Sequence, residues 1–263
     1  MAKYSIVELA VSNGKLVGVD QLSNNQKRAL ELNNAIYIYR GTRSKKVYIG
    51  QTMHFIERHK QHYNGTEEKF STADFNKVIV IFSVYFNRSA MDDVESQLIT
   101  YFMADNSKKA GAVSFDHDDV INRTGGNSVN EYIGRENVAS DVILPLWEKE
   151  LWPRGWVSSS TLEELRTKEL VKYSPIKQLT PEQGQLITEI IHNPDRNYVI
   201  NGDAGTGKTV LLTHLVASIL KERPEAKLGV VVQPNWEKTG ENIFKIYGMN
   251  SRYLSVTTAT KII

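Results

Sequence analysis

Two stretches of the chain carry residue types whose spacing could do chemistry. In the first, Ala35-Ile36-Tyr37 and Tyr48-Ile49-Gly50 fall on two short predicted strands, 36–40 and 47–50, joined by a basic, Gly-containing turn. The period of two puts Tyr37 and Tyr39 on one face and Ile36 and Ile38 on the other. A matching register would make Tyr37 and Tyr48 cross-strand neighbours. Arg58 comes eight residues after Gly50 and His62 four further on, on one face of a helix predicted over 55–63. Two phenols, a guanidinium and an imidazole beside a basic turn suit a phosphodiester. Cations hold the anion, and a phenol whose pKa they lower from about 10 accepts a proton from water.

A carboxylate completes the set. Glu95 lies on a helix predicted over 89–104, with Ser89 as its N-cap, and its helical neighbours Met91, Leu98, Ile99 and Phe102 are all apolar. A carboxylate in a core-facing stripe is costly without a partner. It either pairs with an Arg or Lys at the helix edge or binds a metal, and beside the tyrosines and Arg58 the metal is the better reading. One carboxylate with water in the remaining positions suits Mg²⁺.

The second stretch, Gly202-Asp203-Ala204-Gly205-Thr206-Gly207-Lys208-Thr209, fits G-x-x-x-x-G-K-[ST] in full. A strand is predicted before it at 198–201 and a helix after it at 208–221, the context a phosphate cradle needs. Glycines let backbone N–H groups and the helix N-terminus wrap a polyphosphate, here ATP. Lys208 would reach the β- and γ-phosphates and the Thr209 hydroxyl would hold Mg²⁺. Upstream stands Leu179-Thr180-Pro181-Glu182-Gln183.

The elements around these sites point to an α/β protein of two domains. The chain has 263 residues, 41% apolar and 24% charged, with no cysteine, which excludes disulfide scaffolds, Cys-based zinc sites and thiol nucleophiles. Net charge is only +2, yet residues 35–63 hold Arg40, Arg43, Lys45, Lys46, Arg58 and Lys60 against the single acid Glu57. Arg40, Arg43, Lys45, Lys46 and Lys60 are therefore candidates for DNA phosphate contacts. An N-terminal hairpin turns at Asn13-Gly14, a polar stretch follows over 22–34, and a buried strand is read at 77–85. Residues 106–128 read as loop and 136–152 as helix. A linker spans 151–178, between a domain at 1–150 and another at 179–263. Beyond it come a helix at 181–192 and a strand at 228–233, so strand and helix alternate as in a parallel sheet. Trp147, Trp152 and Trp156 are expected to pack the two domains together. Zinc at His54, Glu57, His59 and His62 is disfavoured because no H-E-x-x-H is present, and Asp116-His117-Asp118-Asp119 reads as a solvated loop. No segment resembles an export signal or a membrane span, and a cytoplasmic location is the default expectation.

Residues 35–127 resemble the GIY-YIG endonuclease superfamily, with AIY in place of GIY, YIG at Tyr48–Gly50, then Arg58 and Glu95 at family-like distances. The resemblance implies a small α+β domain with a short mixed or antiparallel sheet and Mg²⁺-dependent cleavage of DNA. Tyr37 or Tyr48 would activate water, Arg58 stabilise the phosphate and Glu95 ligate the metal. A late Asn usually completes the pattern; Asn122 is the first choice and Asn127 the second, while Asn106 is nearer to Glu95 in sequence. The block from Leu179 is similar to the superfamily 1 helicase-like ATPases found beside nuclease domains in bacterial defence proteins. There Gln183 would pair with adenine, and LGVVVQPN and SVTTATKII match segments that follow. No apolar strand ending in Asp-Glu follows Thr209, so this half reads as a truncated parallel-sheet P-loop domain. ATP binding is expected of it, sustained hydrolysis and unwinding are not, and the remainder of a helicase-like domain or a partner chain is implied. The main expectation is a Mg²⁺-dependent endonuclease coupled to an ATP-binding module, in restriction of foreign DNA. The rival is a nucleotide-gated nucleic-acid-binding protein that does not cut.

Overall fold

The computed structural model describes residues 3–64, 70, 72–105, 119–120, 132–166, 168–175, 179–203, 205–247, 249 and 252–261. Of these, residues up to Leu165 form one compact unit and those from Arg166 onward a second.

The first unit is built on strands β1 (Tyr4–Ser12), β2 (Lys15–Val17), β3 (Ala35–Arg40), β4 (Val47–Thr52) and β5 (Lys77–Ser83), all antiparallel in the order β2-β1-β5-β3-β4. The β1–β2 turn falls at Asn13 and Gly14, whose φ values of 48° and 72° are the positive pair that Asn-Gly supplies. Helix α1 (Asn24–Leu32) lies inside the stretch read only as polar. It buries Leu30 alone, so its apolar stripe is faint. What marks it is the Ser23/Gln26 capping box, in which each side chain accepts the other residue's backbone N–H.

Every residue of β3 is buried, and five consecutive residues of β5, Val78–Phe82, are buried too. These inner strands are covered on both faces, which explains why β5 reads as an unbroken apolar run. On one face Tyr37, Tyr39 and Tyr48 pack with Phe55 of α2 (Phe55–Asn64) and with Phe70. Helix α3 (Arg88–Ala104) lies against β4 and β3. Its N-cap is Asn87, two residues earlier than expected: Asn87 is extended and its side chain accepts the Ala90 N–H at 2.9 Å, whereas Ser89 is already helical. On the outer edge of β4, the Val47 N–H donates to the Asp119 carbonyl at 2.8 Å, and Val47 pairs with Val120.

A further helix, α4, spans 135–151. It starts as an α-turn at Arg135–Val138 and widens into π turns at Ala139–Ile143 and Leu146–Leu151. Pro145 sits between them, where its missing N–H breaks the regular ladder. Trp147 is fully buried against Tyr101 and Phe102, in the core of the first unit. Its indole N–H donates to the Ser159 carbonyl at 3.0 Å. The buried Asp105 carboxylate accepts from the Ser158 N–H, the Ser158 hydroxyl and the Ser159 N–H. Residues at the start of the expected linker are thus held in the first unit, up to the one-turn helix α5 (Glu163–Arg166).

Asp93 of α3 is completely buried and takes two bonds from Arg135, at 3.1 and 3.3 Å, and one from the Tyr132 hydroxyl at 2.8 Å. Removing one partner strands the other charge, so Asp93→Ala should cost about 3–5 kcal/mol. Denaturant unfolding checks this, and an unchanged midpoint contradicts it.

The second unit contains α6 (Glu169–Lys172), α7 (Pro181–His192), α8 (Lys208–Glu222), β6 (Leu228–Val232), α9 (Glu237–Ile246) and β7 (Leu254–Thr258). Strands β6 and β7 are parallel, and Val216, Val230, Ile243, Phe244, Tyr247 and Met249 form their core. The strand expected at 198–201 is absent. Val199 and Ile200 are 87% and 38% exposed, and no described strand pairs with this segment. β-Branched sequence does not make a strand without a ladder partner.

Candidate active site

The register of β3 against β4 pairs Tyr37 with Gly50 and Tyr39 with Tyr48. This corrects the simplest reading, in which Tyr37 faced Tyr48 directly; the two are diagonal neighbours on one face. Their rings are 6.2 Å apart and 21° from parallel. Gly50 is what makes room for this. A Cβ there would lie 2.4 Å from the Tyr37 hydroxyl oxygen. Ala35 has no positive φ and lies in regular β3, so the alanine in place of glycine brings no backbone strain.

Helix α2 brings its polar side chains under these rings. His62 Nε2 is 2.8 Å from the Tyr37 hydroxyl, and Arg58 Nε donates to the same oxygen at 3.4 Å. Arg58 can only donate to that oxygen, while the donor in the Tyr37–His62 bond is set by the imidazole tautomer: with Nε2 unprotonated, the phenol hydrogen points to His62. The Tyr48 phenol is a second hydrogen-bond partner of Arg58. Burial works against the Arg58 charge, but its bonds to the two phenols outweigh that and hold it above its ordinary range. The Tyr37 phenol goes the other way from the sequence expectation. Burial, and then the Tyr48 phenol, push its pKa well up, and the Arg58 bond offsets only part of this. Tyr37 is therefore a neutral phenol poised between a cation and an imidazole, not a phenolate.

Two residues along β3 and one turn back along α2, a second tyrosine–histidine pair repeats the pattern without the arginine. Tyr39 bonds His59 Nδ1 at 2.6 Å, and His59 Nε2 lies 3.0 Å from the Gly14 carbonyl. A carbonyl requires Nε2–H, so Nδ1 accepts from Tyr39. Burial lowers the pKa of this imidazole, which favours its neutral form, against the pull of the Gly14 bond. His54 Nδ1 bonds the Glu31 carbonyl instead. The histidines are thus spoken for by tyrosines and backbone. No group of three or more His, Asp or Glu side chains able to hold a metal exists among the described residues.

From α3, Glu95 reaches the edge of the sheet beside β4. Its Oε2 accepts from Gln51 Nε2 at 2.8 Å, and the same nitrogen donates to Asp92 Oδ1. Burial, with Asp92 adding, pushes the Glu95 pKa up to about 7, although the Gln51 bond and the Arg58 charge pull it down. The Glu95 charge also acts on Tyr37. Tyr37, Tyr48, Arg58, His62 and Glu95 are thus one electrostatic neighbourhood. Gln51 and Asp92 were missed from sequence. The available signal was position: Gln51 follows Gly50 on the strand face opposite Tyr48, and Asp92 precedes Glu95 by one helical turn.

Among the basic residues, Arg43, Lys45 and Lys60 are exposed and Lys46 is half-buried. Arg40 is not available to a phosphate. It is 5% exposed, donates to the Lys45 carbonyl, and burial lowers its pKa to about 10. It stabilises the turn rather than greeting an anion. Asn106, Asn122, Asn127 and Asp116–Asp118 lie outside the described residues, as does Ala204.

In the second unit, the glycine loop runs into α8. Gly205 and Gly207 both have φ of 84°, a conformation that favours glycine. Lys208 Nζ donates to the carbonyls of Gly202 and Asp203 at 2.6 and 2.7 Å, and the Thr206 hydroxyl donates to the Asp203 carbonyl. Thr209 is half-buried in the first turn of α8. Gln183 forms a capping box with Thr180 and donates its amide to the Thr206 carbonyl at 3.0 Å. Its side chain therefore couples the start of α7 to the loop.

Residues 33–109 match the family model of the GIY-YIG catalytic domain. No curated protein and no solved structure matches the chain.

Proposed function

We propose that this chain, an endonuclease and hence a phosphodiester hydrolase through its GIY-YIG catalytic domain, hydrolyses DNA at Tyr37, Tyr48, Arg58, His62 and Glu95 with Mg²⁺ as cofactor. The observation that carries it is the convergence of both phenols on one guanidinium, beside a half-buried carboxylate that feels its charge.

The donor set suits Mg²⁺. Glu95 offers a hard oxygen with Asp92 beside it, no group of three or more such ligating side chains stands among the described residues, and Mg²⁺ keeps several waters. Bound there, the ion would supply charge for the phosphate and the leaving oxygen. The chain's own residues do the rest. Arg58 holds a non-bridging phosphate oxygen, shielding the phosphorus from the anionic charge that repels a nucleophile. Tyr37 accepts a proton from the attacking water as it passes its own to His62 Nε2, so the phenol never carries a full charge in its buried site. Tyr48 shares Arg58 and fixes its orientation. Arg43, Lys45, Lys46 and Lys60 contact flanking phosphates. We assign the glycine loop, with Gln183, Lys208 and Thr209, to ATP and Mg²⁺ in a P-loop module of helicase-like type that regulates cutting or steers it on DNA. Restriction of foreign DNA is the setting this combination suits.

Incubating the purified chain with supercoiled plasmid and Mg²⁺, with and without ATP and beside Lys208→Ala, tests the reading. Nicking should occur in both, and respond to ATP only in the native chain. No nicking sinks the nuclease assignment. Nicking indifferent to ATP in both sinks the coupling alone.

Two consequences follow from the geometry. Gly50→Ala drives a methyl into the Tyr37 hydroxyl. A displacement of about 1 Å should cost about 100-fold in nicking while circular dichroism stays native; unchanged nicking contradicts it. Protons compete with Mg²⁺ for Glu95, whose pKa lies at about 7. The carboxyl is neutral below that value and ionised above it. Nicking should therefore fall as pH drops through neutrality, and higher Mg²⁺ should move the midpoint to lower pH. A midpoint indifferent to Mg²⁺ would show that Glu95 is not the group being titrated.

A further inference from the structure

Glu95 and Asp92 are like charges three residues apart on α3, and a single amide nitrogen, Gln51 Nε2, donates to both. We infer that Gln51 is the positioning residue of the Glu95 carboxylate: it ties down Oε2 and leaves Oε1, which has no hydrogen-bond partner among the described residues, to the divalent cation. This rests on the reading of Glu95 as a metal ligand and adds to it the residue that aims the ligand.

Three observations carry the inference. The first is placement. Gln51 sits in β4 directly after Gly50, and the strand period turns it away from Tyr48 toward α3. One edge strand therefore supplies a phenol to one side and the clamp of the carboxylate to the other. The second is chemistry. A carboxamide nitrogen has two hydrogens, one for each acid, and no net charge. A lysine at that point would satisfy the acids equally well but would neutralise Glu95 and repel a divalent ion. The third is that Gln51 is the one hydrogen-bond partner of Glu95 among the described residues. Met91, Leu98 and Ile99 around it are apolar and buried, so without Gln51 the carboxylate is free to change rotamer. Asp92, held by the same nitrogen, braces Gln51 from the neighbouring helical turn. Outer-sphere partners of this sort commonly govern metal affinity by about 10- to 100-fold.

The test measures metal binding apart from turnover. Mn²⁺ titration of the full chain, followed by electron paramagnetic resonance, would compare native protein with Gln51→Met, Gln51→Ser and Glu95→Gln. Thermal melts and circular dichroism would identify any variant that fails to fold. Gln51→Met and Gln51→Ser should weaken Mn²⁺ binding by about tenfold or more. They should raise the Mg²⁺ needed for half-maximal nicking by the same factor, while the rate at saturating Mg²⁺ recovers to near native. Glu95→Gln should lose the bound Mn²⁺ altogether. If Glu95→Gln loses the ion but both folded Gln51 variants bind as the native chain does, the clamp is overturned and the ligand stands. If the native chain binds no Mn²⁺, or Glu95→Gln binds it normally, the ligand reading falls and the clamp with it.

Discussion

Arg58→Ala is expected to lower plasmid nicking by about 10²–10³-fold with the fold intact. Arg58 bonds both Tyr37 and Tyr48, and its charge acts on Glu95. Removing a preorganised donor to the charge that develops on a reacting oxyanion costs about that much. Alanine would also remove the guanidinium that links the two phenols, so orientation is lost along with charge. The helix itself should survive, because α2 is anchored by Phe55, His59 and His62, all buried, while Arg58 is only partly so. Raising Mg²⁺ should not restore activity, since the ion and the guanidinium bear on different atoms. Nicking assays beside circular dichroism check this; native spectra with undiminished nicking contradict it.

The second large effect separates two tyrosines that the strand period puts on one face, Tyr37 and Tyr39. Tyr37→Phe should reduce nicking by about 10²–10⁴-fold, the usual worth of a positioned proton-transfer group. Its ring packing is preserved, so the melting temperature should move little. Tyr39→Phe should do the reverse. It leaves His59 Nδ1 without its donor at a buried site, a loss of about 1–3 kcal/mol in stability, yet nicking at a temperature where the protein is folded should persist. The contrast comes from Arg58, which bonds Tyr37 and Tyr48; the Tyr39–His59 pair is instead closed off by the Gly14 carbonyl. Equal losses of activity in the two variants would show that the chemistry does not run through Tyr37.

Local signals carried most of the first unit. Asn13-Gly14, the β-branched run of β5 and the apolar stripe of α3 each specify an element through neighbours in sequence, and each formed. The tyrosines, Arg58 and Glu95 were legible because strand and helix periods fix which residues share a face. What escaped depends on contacts between elements. Whether Tyr37 lies opposite Tyr48 or Gly50 is a register, set by the whole hairpin. The burial of Arg40 depends on how the turn folds back, so its charge in sequence suggested a phosphate partner it does not meet. The sign of the Tyr37 pKa change depends on desolvation, which sequence neighbours do not report. Segment 198–201 shows the same limit for strands: Tyr198, Val199 and Ile200 have the right character, but pairing decides.

The central claim is that Glu95 holds the metal on which strand cutting depends. Supercoiled plasmid nicking with Mg²⁺, by native protein and by Glu95→Ala of equal melting temperature, tests it most directly. Nicking by the native chain, its arrest by a chelator and its loss in Glu95→Ala are the expected results. Native-rate nicking by Glu95→Ala, or nicking that survives removal of every divalent ion, would contradict it.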